Sequence, residues 1–156
     1  MKYLRLNFIF IFTLFLITFL FQPIDVFAKM VSIVKENINM RSGPGTKYQV
    51  KWKLGKGYPL IIVSQKGKWL NVKDFEGDTG WVYRTLTDTT PHLVVKRKKV
   101  NVRSGPGEKY GIISEAKYGV VFETLKKKGG FTGWVEVKHE KTGITGWIRR
   151  DLLWGW

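Results

Sequence analysis

The residues best suited to contact a ligand are aromatic and basic, and they come in two sets. The first is Tyr48, Trp69, Trp81 and Tyr83; the second is Tyr110, Trp134, Trp147 and Arg149. Flat aromatic faces edged by Lys and Arg suit stacking on sugar rings or on an extended or Pro-rich peptide. Arg41 and Arg103 add a second chemistry. Each stands just before a Gly-Pro-Gly, where a guanidinium either grips a carboxylate of a ligand or braces the turn from within. The aromatic residues have an architectural alternative too: capping the open end of a small barrel, or lying buried between two modules.

Catalytic chemistry lacks its parts. There is no Cys, which removes thiol nucleophiles, disulfides, thiolate metal sites and a lipid-bearing N-terminal cysteine. The two histidines, His92 and His139, lie far apart in the chain, and neither recurs at a matching position. His139 with Glu136 or Glu140 is too thin a set for zinc. The glycines around Pro44 lack the spacing and the Lys-Ser/Thr of a phosphate loop. No carboxylate pair stands out for glycan hydrolysis. The chain is therefore read as non-catalytic, with no cofactor and no metal.

The elements that must position these residues are written twice. Asn39-Met40-Arg41-Ser42-Gly43-Pro44-Gly45 returns as Asn101-Val102-Arg103-Ser104-Gly105-Pro106-Gly107, 62 residues later. Each copy continues with Lys-Tyr, a hydrophobic run, a Trp-bearing strand and Thr-Gly-Trp. Short β-branched runs and period-two alternation predict strands, and no helical periodicity appears. Pro44-Gly45 and Pro106-Gly107 fit the centre of a type II turn, with positive φ at the second glycine. Asn39 and Asn101 are read as turn or bulge residues. Trp69–Lys73 is expected to pair with 80–84 as a hairpin, and 134–138 with 146–150. Alternation then turns Leu70, Val72 and Val82 inward and leaves Trp69, Asn71, Trp81 and Tyr83 outside. Trp69 and Trp81 become candidates for cross-strand neighbours. In the second copy Val135, Val137 and Ile148 turn inward, and Trp134, Glu136, Trp147 and Arg149 do not.

At 156 residues there is room for two modules of about 60 residues, each with a limited core. The formal charge of +15 favours an anionic partner or serves solubility. The densest basic runs, at 96–99 and 126–128, both lie in the second copy. Lys2 and Arg5, the apolar run from Leu6 to Phe21, and Val26 and Ala28 form the pattern of a secretory signal peptide cut after Ala28. The alternative is an uncleaved anchor, the one route by which this chain would meet a membrane, although the run is short for a span. Export places nucleic acid in the wrong compartment.

The R-S-G-P-G opening together with a late T-G-W-V or T-G-W-I strand resembles the bacterial Src-homology-3-like domain family, over both copies. The resemblance implies a partly opened β-barrel and a non-catalytic module of an exported protein, linked to cell-wall or peptide binding. The longer turn at 126–132 departs from the first copy. The expected chain is thus all-β: a signal peptide over 1–28, one Src-homology-3-like barrel over 29–87, a linker over 88–92, and a second barrel over 93–156. The two barrels are expected to pack on each other. The partner is a cell-wall polymer or peptide, or, in the alternative, an envelope protein held in a barrel groove.

Overall fold

The computed structural model describes residues 29–125 and 133–156. The expected signal peptide and the longer turn at 126–132 lie outside the described residues. The described chain folds into two antiparallel sheets of seven strands each. The first contains β1 (Met30–Ile33), β2 (Ile38–Arg41), β3 (Val50–Leu54), β4 (Pro59–Lys66), β5 (Trp69–Lys73), β6 (Thr79–Tyr83) and β7 (Thr87–Asp88). The second contains β8 (His92–Val95), β9 (Lys99–Arg103), β10 (Ile112–Lys117), β11 (Val121–Thr124), β12 (Trp134–His139), β13 (Thr145–Arg149) and β14 (Leu153–Gly155). A 3-10 turn, Arg84–Leu86 or Arg150–Leu152, precedes the last strand of each unit. No helix among the described residues is long and apolar enough to cross a membrane.

The strand order is the same in both units: β3-β2-β6-β5-β4-β1-β7 and β10-β9-β13-β12-β11-β8-β14. The first core gathers Val31, Ile33, Ile38, Met40, Leu54, Leu60, Leu70, Val72 and Val82. These come from six strands of one sheet. A single sheet whose inward residues meet in one cluster has curled around it, which makes a small barrel. The second core repeats this with Leu93, Val95, Val100, Val102, Phe122, Val135, Val137, Ile148 and Leu153 among its members. The period-two split of the β5–β6 and β12–β13 hairpins is as alternation requires. Leu70, Val72, Val82, Val135, Val137 and Ile148 are buried, and the residues between them are half-buried or exposed.

The glycine of Thr-Gly-Trp explains how the barrel corner closes. A Cβ on Gly80 would stand 2.5 Å from Met40 Cγ, and one on Gly146 would stand 2.6 Å from Val102 Cγ1. Only glycine lets β2 cross β6, and β9 cross β13, at that approach. Register shifts leave one extra residue, Lys51 on β3 and Ile113 on β10, and bend these strands against β2 and β9. On its other side β2 places Arg41 opposite Trp81 of β6, as β9 places Arg103 opposite Trp147 of β13.

Three expectations change. The Gly-Pro-Gly segments are not type II turns, because neither Gly45 nor Gly107 has positive φ. Instead the amide of Gly45 bonds the carbonyl of Gly43, and that of Gly107 the carbonyl of Gly105, both at 3.0 Å. This is a three-residue turn centred on proline, whose ring fixes φ near the value such a turn takes. Trp69 stands opposite Tyr83, not Trp81, which faces Asn71. The hairpin loop runs from Asp74 to Asp78, and its length sets that register. The linker is shorter than expected, since Asp88 belongs to β7 and His92 begins β8, where it is buried.

The barrels pack on each other through a mixed junction. Phe75, at the tip of the β5–β6 loop, packs against Tyr58 of its own barrel and against Tyr118 and Trp154 of the other. The Tyr118 hydroxyl donates to Glu76. Buried Ser32 donates to the Thr90 carbonyl at 2.7 Å and accepts from Trp156 Nε1 at 3.3 Å. Glu140 accepts from Lys56 of the first barrel at 3.0 Å and meets His92 Nε2 at 2.8 Å. Gly57 is pressed so closely onto His92 that a Cβ would stand 2.6 Å from its ring.

Candidate functional site

The outer face of β2, β6 and β5 gathers Asn39 and Arg41, Trp81 and Tyr83, and Trp69 and Asn71. Between this face and the loop after Gly-Pro-Gly lies a groove of roughly 640 Å³, lined by Asn37, Ile38, Asn39, Arg41, Gly45, Thr46, Trp69, Tyr83 and Leu86. Trp69 and Tyr83 meet edge to face at 5.3 Å, the consequence of their direct register across the hairpin. Asn37 has φ of 60°, a conformation that asparagine tolerates better than most residues, and it closes one end.

Arg41 shapes this groove. Its Nη1 donates to the carbonyls of Thr46 at 3.0 Å and Tyr48 at 2.8 Å. Arg103 does the same to Glu108 at 3.1 Å and Tyr110 at 2.7 Å. A guanidinium bound to two carbonyls of the following loop holds that loop over the sheet, which defines one groove wall. Tyr48 and Tyr110 are part of the same brace rather than groove linings. Their rings lie on Gly43 and Gly105, where a Cβ would come within 2.4 and 2.5 Å of a ring carbon. Lys47 and Lys109 reach over the outer faces, at 5.6 and 5.4 Å from the ring centres. The first glycine of Gly-Pro-Gly is thus required by a ring packed against it.

The second barrel has the matching groove, roughly 390 Å³, lined by Lys99, Val100, Asn101, Arg103, Glu108, Glu115, Trp134, Arg149 and Leu152. Asn101, Arg103, Trp134 and Leu152 repeat their counterparts. Val100 stands for Ile38, Glu115 has no counterpart in the first lining, and three positions differ in charge: Lys99 for Asn37, Glu108 for Thr46 and Arg149 for Tyr83. Arg149 binds Asp151 through Nε at 3.0 Å and Nη2 at 2.7 Å, and its Nη1 lies 3.5 Å from Glu108. The fork holds the Asp151 carboxyl below the usual carboxylate range. Lys99 pairs with Glu115. Of the eight ligand candidates, the grooves therefore take Trp69 and Tyr83 in one barrel and Trp134 and Arg149 in the other. Trp81, on the same outer face, and Trp147 stand outside both linings.

Sequence reasoning missed Asn37, Thr46, Leu86 and Glu108. Aligning the two copies supplies a signal for two of them: Thr46 and Glu108 occupy one position at which otherwise parallel repeats change chemistry. It also missed Phe75 and Tyr118 as junction residues; an aromatic inside the polar hairpin loop, Phe75, was the available sign.

Groups that suggest other chemistry are committed to structure. Asp74, Glu76 and Asp78 bring carboxylate oxygens within 4.8 Å of one another. Buried Asp74, however, accepts the amides of Glu76 and Asp78, and Glu76 accepts the Tyr118 hydroxyl, so the three hold the hairpin tip in the junction. Burial pushes the Asp74 carboxyl up, against those amide bonds. Burial, backed by Asp74 and Glu76, pushes the Tyr58 hydroxyl up as well. His139 packs edge-on against Phe122 and accepts the Thr142 amide through Nδ1. His92 and Glu140 sit in the junction. Burial opposes the Glu140 carboxylate, but hydrogen bonds from His92 and Lys56 outweigh it and hold the carboxyl below its ordinary value.

Comparison with known proteins places this geometry. The chain is 27% identical over 137 residues to a Bacillus subtilis protein named as an N-acetylmuramoyl-L-alanine amidase, YrvJ, covering 71% of this chain and 25% of that one. Over 50 residues it is 38% identical to a Staphylococcus epidermidis protein named as the cell wall amidase LytH, covering 31% of this chain and 17% of that one. The chain thus spans a quarter or less of the length of these relatives. A solved NlpC/P60 family protein from Bacillus cereus aligns over 82% of this chain and 56% of its own at 14% identity, with a TM-score of 0.38. The profile of the bacterial SH3 domain matches twice, at residues 34–88 and 96–155, one match on each barrel. The chain belongs to the bacterial SH3 domain family, as a tandem pair.

Proposed function

We propose that this protein is a non-catalytic module of an exported protein that binds peptidoglycan through the groove of the first barrel. The observation that carries the reading is the Trp69–Tyr83 pair lying beside Asn39 and Arg41 in a preformed groove. An aromatic shelf with a few fixed polar groups is what a sugar or an extended peptide needs from a rigid protein. The relatives named as cell wall amidases support the compartment and the polymer. The matched stretch is only a quarter or less of each, and it corresponds here to barrels in which His92, His139, Asp74 and Glu140 are held by packing or hydrogen bonds. That supports binding over hydrolysis.

A second reading, an envelope adaptor that holds a protein partner, is favoured by one feature. Strand β3 lies at the end of its sheet and exposes Val50 and Trp52. A free edge with apolar side chains can take an added strand. Co-sedimentation with insoluble peptidoglycan separates the two. The intact chain should pellet with purified wall at moderate salt and release no soluble wall fragments. Retention that disappears on adding salt would reduce the interaction to charge attraction. Release of fragments would contradict the non-catalytic reading, and no retention at low salt would leave the adaptor.

A further inference from the structure

The two grooves share a backbone frame and differ in what fills them. In the first, among the described lining residues, there is no carboxylate, and Arg41 is the one cation. Both bonds of Arg41 to the loop use Nη1, which leaves its other guanidinium edge for a ligand. In the second, two loop and strand positions have become acid and base. Glu108 reaches from the loop after Gly-Pro-Gly to Arg149 on β13, and Asp151 forks the same guanidinium from the other side. Glu115 occupies Lys99. The cations that replaced neutral residues in this groove thus already have carboxylate partners, and the Glu108–Arg149 contact crosses the groove mouth. The first groove has Thr46 and Tyr83 at the strap positions, and neither carries charge.

We infer that the copies have divided their work: the first groove is the binding site for a sugar ring that bears a free carboxylate, as muramic acid does where its amide to L-alanine has been cleaved, stacked on Trp69 with Tyr83 edge-on beside it and held by Arg41, whereas the second is strapped by Glu108, Arg149 and Asp151 and excludes that ligand. This rests on the reading of the first groove as the wall-binding site and adds the ligand's chemical class and a stoichiometry of one per chain. The fit follows from the parts. An aromatic shelf takes the apolar face of a sugar ring. A guanidinium fixed by two carbonyls offers its remaining N–H groups to a carboxylate in a planar fork. In the second groove an incoming carboxylate must displace one that is covalently part of the wall, at high local concentration. The ion pairs there are exposed and individually weak, so the strap is one that substitution can open.

Isothermal titration of the intact chain with N-acetylmuramic acid, a hexosamine bearing a lactyl carboxylate, tests this. One site per chain is expected. Trp69→Ala should weaken it at least about tenfold, and Trp134→Ala should leave it within about twofold. Thr46→Glu, Tyr83→Arg and Thr85→Asp together, which copy the strap into the first groove, should weaken binding about fivefold or more while Trp69 remains in place. Glu108→Gln with Asp151→Asn should raise the count to two. Two sites in the unaltered chain, equal losses from the two Trp variants, a strap transfer without effect, a double variant that stays at one site, or no binding of the sugar acid overturns the inference. Each leaves wall co-sedimentation free to succeed. One sugar acid per chain with no retention by insoluble wall, before or after its muramoyl-alanine amides are cleaved, would instead overturn the peptidoglycan reading alone.

Discussion

Glu140 ties the barrels together, and replacing it should cost stability in a way that depends on pH. In the junction Glu140 Oε1 lies 2.8 Å from His92 Nε2 and Oε2 lies 3.0 Å from Lys56 Nζ. The His92 and Glu140 side chains are 5% and 12% exposed, whereas that of Lys56 is 54% exposed. Glu140→Ala leaves the buried imidazole without its partner, a loss of about 1–3 kcal/mol. The exposed Lys56 contact adds only a few tenths of a kcal/mol, because solvent screens it. The expected loss is therefore about 2 kcal/mol at pH 7. The carboxyl of Glu140 is held below its ordinary value in the folded chain. Its charge thus contributes stability that is fully present above the unfolded value of about 4.3, and that is lost as pH falls through the lower folded value. The difference between the unaltered chain and Glu140→Ala should shrink on going from pH 7 to pH 3. Urea unfolding followed by Trp fluorescence at both pH values measures it. A difference below about 0.5 kcal/mol at pH 7, a small surface-type effect, would refute the account of the junction. So would a full difference that persists unchanged at pH 3.

Other perturbations test the frame beneath the grooves. Phe75→Ala removes the ring that touches Tyr58, Tyr118 and Trp154. It should cost about 1–3 kcal/mol and separate the unfolding of the barrels into two transitions, seen by calorimetry. Gly43→Ala places a Cβ inside the Tyr48 ring's space and should cost about 1–3 kcal/mol in chemical denaturation. Gly105→Ala should cost about the same in the second barrel. Arg41→Met frees the loop from its two carbonyl bonds. Hydrogen exchange should then quicken at the amides of residues 45–49, with about 1–2 kcal/mol of lost stability.

The architecture was legible because the repeat and the period-two alternation point the same way, and packing obeys them. Inward Leu70, Val72 and Val82 could be named from spacing alone, since a strand turns every second side chain to one face. The Gly-Pro-Gly was recognisable as a turn but not as its type. Proline fixes its own φ and tolerates several turns, and the deciding contact is a ring three residues beyond, Tyr48 on Gly43. The partner of Trp69 depended on the loop register, which can shift by two residues without changing the face that any side chain takes. The junction was the least legible part. Phe75 alone gives a sign, as an aromatic inside a polar loop; Tyr118, Trp154 and the His92–Glu140 pair are each unremarkable in sequence, and their meeting depends on how two closed barrels lie together. The grooves stood between these cases. Their aromatic members came from alternation, whereas Thr46 and Glu108 enter only once the loop is folded back by Arg41 or Arg103, and Leu86 comes from the 3-10 turn.

The central claim is that the first barrel's groove holds the wall ligand, and chemical-shift mapping tests it most directly. Soluble peptidoglycan fragments added to the isotopically labelled intact chain should move the indole N–H of Trp69 and the amides around Asn39, Arg41, Thr46 and Tyr83. The indole of Trp134 should stay in place. Shifts confined to Trp52 and the β3 edge, or to the basic run at 96–99, with Trp69 unmoved, would contradict it.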